Sequence, residues 1–600
     1  MVTSVAVLAA FGLATGGRAE EILPLASVVP GMKGYGLTVF EGQKVERFDV
    51  EVLGVVPATT PGRSVIVVRA SGPGLEKSGI ASGMSGSPVY LDGKLAGALS
   101  SGFSFSKEPI GGVTPIEPML AIDGTPSPPR PARSPALPAT GALAAAFVGG
   151  GEERLAFLRR RFEEMQALLP APAASLLAPS WSGFPAETLV RSAPVLSRLG
   201  LPAASVEASL AGAAPGPSPA ATAPLAGGAA ITALLVDGDL QLGATGTVTR
   251  VGPDGRFVAF GHPFLGFGEL ELPVAPAIVV TVVPSVYQSF KIGHALSTSP
   301  WRLTKDRDSG VAGRTDGPAP MVPVRFRFDA GASSRELRWR LAPHPRLLPL
   351  LLSLSTDAAL TTSDPTSRDR TLRFRITFET AAGPFTWEDV VAGPRARETA
   401  VLSAAVLAGM LSDNEFEDPR ISGLAIEVSS EEGERRLRIL DAALASRRVA
   451  PGAELVATVR LADRRGVETA RVVRLRVPRE LPDGRATLVV GDGNVLSGLR
   501  IALNPGEPRS LADVKRWLDR IVPADRLAAA IVVPGRGAAT GPETLSALPP
   551  TVAVLLSEGE RTEGPKGSLG SRIVAEEIQL LDRPVAGSVR LDFDVERPRS

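Results

Sequence analysis

From Val45 to Val52 the chain alternates: Phe48, Val50 and Val52 fall on one side of an extended backbone, Asp49 and Glu51 on the other. A period of two marks a strand buried on one face. The same reading predicts strands over residues 64–69, 230–236, 243–251, 256–260, 277–283, 321–328, 370–378, 455–461, 471–477, 486–490, 527–533, 552–556 and 589–595. Turn chemistry joins several of them: Asp92-Gly93 closes a hairpin between residues 88–91 and 94–98, and Pro253-Asp254-Gly255 closes another. Helical spacing is rarer. Leu155, Leu158, Phe162, Met165 and Leu169 make one stripe that Pro170 ends, residues 394–411 make a second helix, and Ser510-Leu511-Ala512-Asp513 is a capping box for a third. The chain reads as mainly β.

Length and punctuation divide it. Six hundred residues exceed any single core, and 54 prolines with 63 glycines favour short strands and loops. The expected divisions are a signal peptide over 1–19, a β unit over 20–124, a Pro/Ala-rich linker with one amphipathic helix over 125–224, a second β unit over 225–334, an α+β domain over 335–423, an Ig-like β-sandwich over 424–498 and a C-terminal α+β domain over 499–600. The leader rests on the apolar run Val2–Leu13 and the small residues Gly17 and Ala19. It implies export to a bacterial periplasm or beyond the cell envelope. The apolar run Leu347–Leu354 is broken by Pro349, and residues 400–411 are too few to span a bilayer.

Charge and composition exclude several chemistries. Net charge is +1 with both signs interspersed, which argues against nucleic acid as a partner. The chain has no cysteine, so disulfides, thiol catalysis and thiolate metal sites are excluded, and three histidines are too few for a histidine-rich metal centre. No metal or cofactor is expected. What remains is Gly83-Met84-Ser85-Gly86-Ser87-Pro88. Small neighbours admit a substrate carbonyl to a serine hydroxyl, and glycine allows the turn that would aim the Gly83 and Ser85 amides at a developing oxyanion. The alternative is a Gly/Ser-rich hairpin connection without chemistry. A serine also needs a base, and histidine is the usual one. His262 stands at a strand end in Gly261-His262-Pro263; His294 follows Lys291-Ile292-Gly293 and His344 sits between prolines.

Two stretches together resemble the sporulation stage IV B (SpoIVB) serine peptidases. One runs from Val45-Glu46-Arg47-Phe48-Asp49-Val50-Glu51-Val52 through Leu75-Glu76-Lys77-Ser78-Gly79 to the Gly83–Pro88 loop and its hairpin. The other runs from Gly246-Thr247-Val248-Thr249 through Phe260-Gly261-His262 to Asp308-Ser309-Gly310-Val311-Ala312-Gly313. The resemblance implies a trypsin-like double β-barrel with Ser85 as nucleophile and His262 as base. It departs from the family in three ways. The serine precedes the histidine, which implies a circularly permuted core. The stretch where the family carries its acid is Ser71-Gly72-Pro73-Gly74, and no PDZ module is evident. Asp306, Asp308, Glu269 and Glu117 are candidate replacements for the acid, or a backbone acceptor serves instead.

The expectation is an exported serine endopeptidase acting on protein or peptide segments, with accessory domains C-terminal to its core. Two rivals stand beside it: a peptidase-fold module that binds peptides or partners without cutting, and a structural envelope protein.

Overall fold

The computed structural model describes residues 20–58, 64–124, 151–170, 177–201, 224–296, 299–365, 369–414, 416–503, 508–540, 543–545 and 568–597. The expected leader, much of the 125–224 linker and the strand expected over 552–556 lie outside these residues.

The first β unit is a closed six-stranded barrel. Its strands are β1 (Lys33–Val39), β2 (Val45–Val56), β3 (Val65–Ser71), β4 (Pro88–Leu91), β5 (Lys94–Gly102) and β6 (Ile110–Pro115), in the order β1-β2-β3-β6-β5-β4. The alternation in β2 is realised: Phe48, Val50 and Val52 are buried with Ile66, Val68, Met84 and Leu99. Burying each such side chain contributes about 1.5–3 kcal/mol. Closure leaves no open edge for another chain to pair with. Asp92 (φ 51°) and Gly93 (φ 76°) form the two-residue turn between β4 and β5, and both are left-handed as a type I′ turn requires.

The second unit also closes. After β7 (Ala178–Ser182) come β8 (Ala230–Gly238), β9 (Gln241–Val251), β10 (Arg256–Ala259), β11 (Gly268–Val283), β12 (Phe290–Ala295), β13 (Trp301–Arg307) and β14 (Gly310–Arg314). Pairings run β8-β9-β10-β14-β13-β11 and return to β8. The fold is therefore mainly β, with the pair of six-stranded barrels expected of a trypsin-like core. β11 is long enough to serve twice. Its first part pairs with β13 and β8, while its last part pairs with β12 as an arm laid on the first barrel, where Val279 exchanges two backbone hydrogen bonds with Gly42.

The described part of the linker is more regular than its Ala/Pro content predicts. The helix Gly151–Ala167 buries Leu155, Leu158 and Phe162 of the predicted stripe, and β7 adds to β9. Leu189, Val195 and Leu196 of two further short helices, and Leu199 just after the second, sink into the same core. From β8 the second sheet continues through β16 (Ser333–Leu341), β15 (Val322–Ala330), β19 (Gly423–Glu432), β17 (Arg370–Glu379) and β18 (Phe385–Gly393). The helices Leu348–Ser363 and Ala396–Ser412 belong to this unit. Pro349 does not interrupt the first of them, because it stands in the first turn, where the amide it lacks has no intrahelical partner.

The sandwich differs from the predicted one in extent. β19 runs parallel to β15 and buries Leu424, Ile426 and Val428 in the central core, so it is not a sandwich strand. The sandwich spans residues 437–595. Strands 468–476, 454–462, 437–444 and 585–586 form one sheet; 448–449, 588–595, 484–492, 526–540 and 543–545 form the other, with 568–580 paired to 526–540. The last hundred residues thus complete the sandwich, since Leu527, Ile531, Phe593 and Val595 share a core with Leu455 and Val473. The predicted cap is present in a shifted form: the Ser510 hydroxyl accepts from the Asp513 amide, while the Asp513 carboxylate accepts from the Arg509 amide, one residue before the N-cap.

The two barrels meet main chain to main chain at Gly86. Its φ is +93°, and a Cβ there would overlap the Thr247 carbonyl and the Phe260 amide. Gly93 shares a positive φ but faces open space. Gly93→Ala should therefore cost only the left-handed strain, about 1–2 kcal/mol. Gly86→Ala should cost at least about 2 kcal/mol more, read by chemical denaturation of the two variants side by side. Equal losses would contradict this account of the junction.

Candidate active site

Residues 79–87 link the short helix Leu75–Ser78 to β4, and hydrogen bonds from both barrels fix their path. Ser82 donates its amide to the Ser289 carbonyl (2.8 Å) and accepts from the Lys291 amide (2.9 Å). The Thr247 hydroxyl donates to the Gly83 carbonyl (3.0 Å) and the Thr249 hydroxyl to that of Gly86 (2.8 Å). The Thr247 amide donates to the Ser85 carbonyl (2.7 Å). Inside the loop, the amides of Met84, Gly86 and Ser87 are spent on Ala81, Leu99 and Met84 carbonyls. Among the described residues, the amides of Gly83 and Ser85 have no acceptor. These are the two donors that the sequence singled out for an oxyanion.

His262 arrives from the other barrel. β10 ends at Ala259, and Phe260 (φ 71°) and Gly261 (φ 72°) turn the chain sharply through the left-handed region. For phenylalanine that conformation is strained. It is held by the Phe260 amide on the Thr247 carbonyl and by the Thr114 hydroxyl on the Gly261 carbonyl (2.6 Å). The turn sets His262 Nε2 against the Ser85 hydroxyl across 177 positions of sequence. Both residues are buried, Ser85 with no exposed surface and His262 with 7 %.

The far ring nitrogen, Nδ1, is 2.7 Å from the Pro263 carbonyl. A carbonyl only accepts, so Nδ1 carries the proton and Nε2 of the neutral ring is an acceptor for the serine. The Ser85 hydroxyl also lies 2.7 Å from the Phe260 carbonyl. One proton thus faces two acceptors, and the tautomer set by Pro263 makes Nε2 the one able to take it away. Burial pushes the His262 pKa down to about 4, partly offset by the Pro263 bond, so the ring is neutral near pH 7.

Of the candidate acids, Asp306 stands closest in role but does not touch the ring. Its buried carboxylate accepts from the amides of Phe264 (2.8 Å), Leu265 (2.7 Å) and Gly266 (2.6 Å), the loop directly after His262-Pro263. Burial pushes this carboxyl up and the amides pull it back. Asp306 therefore acts on the imidazole at one remove, by fixing the loop whose Pro263 carbonyl holds Nδ1. Asp308 is exposed in the turn before β14, and Glu269 is exposed opposite Lys305. Glu117 accepts from the Leu25 amide. His294 pairs opposite Ile278, and His344 packs on Phe267 at 4.1 Å. No group of acids and histidines able to hold a metal occurs among the described residues.

Comparison with known proteins agrees with the serine half. Residues 22–120 match the SpoIVB peptidase S55 family. The match spans the first barrel and the Gly83–Pro88 loop, and it stops short of the histidine barrel. No curated protein and no solved structure matches the chain. Sequence reasoning missed Thr247, Thr249, Pro263 and Lys291 as site residues. The first two stood in the quoted Gly246–Thr249 stretch, and Lys291 betrayed itself only as a lone charge between Phe290 and Ile292.

Asp306→Asn replaces one acceptor oxygen with an amide group that repels the loop's own amides. It should destabilise the protein by about 1–3 kcal/mol. It should also raise the His262 pKa from about 4, because the loosened loop admits water. Denaturation and a histidine-resolved titration check both; an unchanged titration would mean that the loop does not control the ring.

Proposed function

We propose that the chain is a serine endopeptidase of the SpoIVB type, exported to the cell envelope, that cleaves protein segments there. The observation that carries this reading is the pairing of Ser85 with a neutral, correctly tautomeric His262 beside two unspent amides. In this mechanism His262 Nε2 takes the hydroxyl proton as Oγ attacks the scissile carbonyl. The Gly83 and Ser85 amides hold the oxyanion, and Nε2 then returns the proton to the leaving amine. The Pro263 carbonyl steadies the imidazolium in place of a carboxylate, so the enzyme is a dyad with slower turnover than a full triad. The order of the halves, serine barrel before histidine barrel, is that of a circular permutant of the family core. The residues after about 335 position substrate or partner and take no part in the chemistry.

Substrates on this reading carry large apolar side chains. Phe103 and Phe105 on the loop after β5, and Val286 and Tyr287 on the loop before β12, are exposed, and Phe105 packs edge-on to Tyr287 at 5.3 Å. The latter loop is bonded to Ser82, three residues from the nucleophile.

A second reading has an observation in its favour. Ser85 is closed off from solvent, and among the described residues Nδ1 of His262 meets the Pro263 carbonyl and no carboxylate, as would suit a module that binds peptides without cutting them. A fluorophosphonate separates the two. Wild type should label covalently at Ser85, Ser85→Ala should not label, and His262→Ala should label at least about 10³-fold more slowly. The rate should rise with pH through about 4, as His262 loses its proton. A folded wild type that stays unlabelled would leave the binding module as the function.

A further inference from the structure

Lys291 is a buried charge that the chemistry above does not use. It lies on β12 with 1 % of its surface exposed. Its Nζ donates to the hydroxyl of Thr38 (2.8 Å), itself fully buried on β1. That is one acceptor for three N–H donors, and no carboxylate among the described residues is paired with it. Burying an ammonium so thinly partnered is costly, and a methionine would fill the same space without the cost. The position of the side chain supplies a reason. Its stem lies against Gly83, where an added Cβ would stand 2.8 Å from Lys291 Cδ and 3.1 Å from Cγ. Gly83 has φ +95°, and its amide is one of the two left free for an oxyanion. Nζ is two bonds beyond Cδ, so it lies within about 7 Å of the Gly83 Cα by covalent reach.

We propose that Lys291 is a positioning residue of the oxyanion site, its stem holding Gly83 in the turn that frees the amide and its ammonium supplying positive charge behind that amide. This rests on the peptidase reading and adds an electrostatic element to it. In a dry site a charge at such a distance is poorly screened and acts mostly on the transition state, where the negative charge appears.

The charge is titratable in the working range, because burial alone lowers the Lys291 pKa to about 7. The surrounding elements bring Lys33 and Tyr35 on β1, Glu46 opposite Thr38 on β2, and Tyr287 and His294 along its own stretch. β8 brings Asp237, β9 Arg250, and β11 Glu269 and Glu271; the serine loop brings no charge. None of them contributes to the lowering. The signs give a bell-shaped profile: reactivity rises as His262 becomes neutral through about 4 and falls as Lys291 becomes neutral through about 7.

The test is phosphonate labelling of full-length protein between pH 4 and 10, for wild type, Lys291→Met and Thr38→Val. Lys291→Met keeps the stem and removes the charge. It should label about 10- to 100-fold more slowly at pH 6 and lose the alkaline limb. Thr38→Val removes the hydroxyl that favours the ammonium, so its alkaline limb should move to lower pH. Thermal unfolding gives a reading independent of activity. From pH 7 to about 10 the unfolded lysine binds a proton that the folded one does not, so wild type should gain stability relative to Lys291→Met as pH rises. Lys291→Met labelling at the wild-type rate with the alkaline limb intact would overturn the proposal and leave the peptidase reading standing. If Lys291→Met does not fold, an alkaline limb unmoved in Thr38→Val overturns it. Wild type unlabelled at every pH would overturn both.

Discussion

The site depends on the backbone fit between residues 83–86 and the Thr247–Thr249 stretch of β9. Two threonine hydroxyls and one amide from the histidine barrel hold three carbonyls of the serine loop, those of Gly83, Ser85 and Gly86. The same Thr247 carbonyl receives the Phe260 amide, so one residue ties the serine's loop to the histidine's turn. Side chains could not hold so close an approach; the absence of a Cβ at Gly86 permits it. Neither barrel alone completes the site. His262 and the loop supports come from one, Ser85 with the free Gly83 and Ser85 amides and the Thr38 hydroxyl from the other.

Dryness sets the chemistry of this junction. Burial keeps His262 neutral well below its ordinary pKa, and burial likewise makes Lys291 a weak holder of its proton. On the proposed peptidase reading the two shifts have one cause and opposite consequences, since a serine nucleophile needs its base neutral and its oxyanion site positive. Between them lies a pH window in which both conditions hold. Asp306 contributes without entering the ring's hydrogen-bond shell, by ordering the amides of the loop behind it.

Much of this was legible in the sequence where a local rule suffices. The period of two in β2, the Asp92-Gly93 turn, the Ser510 cap and the glycine-flanked Ser85 each express an interaction within a few residues. What was not legible depends on distant partners. β19 looks like any alternating strand, and only its parallel pairing with β15 assigns it to the central sheet. Pro349 read as a break because its place in the first turn of a helix is fixed by the tertiary packing of that helix. A carboxylate and a backbone acceptor stand as alternatives for the far nitrogen of His262 in the sequence; the contact is the Pro263 carbonyl, and which carbonyl supplies it leaves no mark there.

The central claim is that Ser85 and His262 form one hydrogen-bonded dyad across the two barrels. With three histidines in the chain, nitrogen-15 resonances of the imidazoles resolve it directly. The account predicts that His262 is the Nδ1-protonated tautomer at pH 7, titrates near pH 4, and shifts its Nε2 resonance in Ser85→Ala. A His262 ring that titrates near 6.5 and does not respond to Ser85→Ala would contradict it.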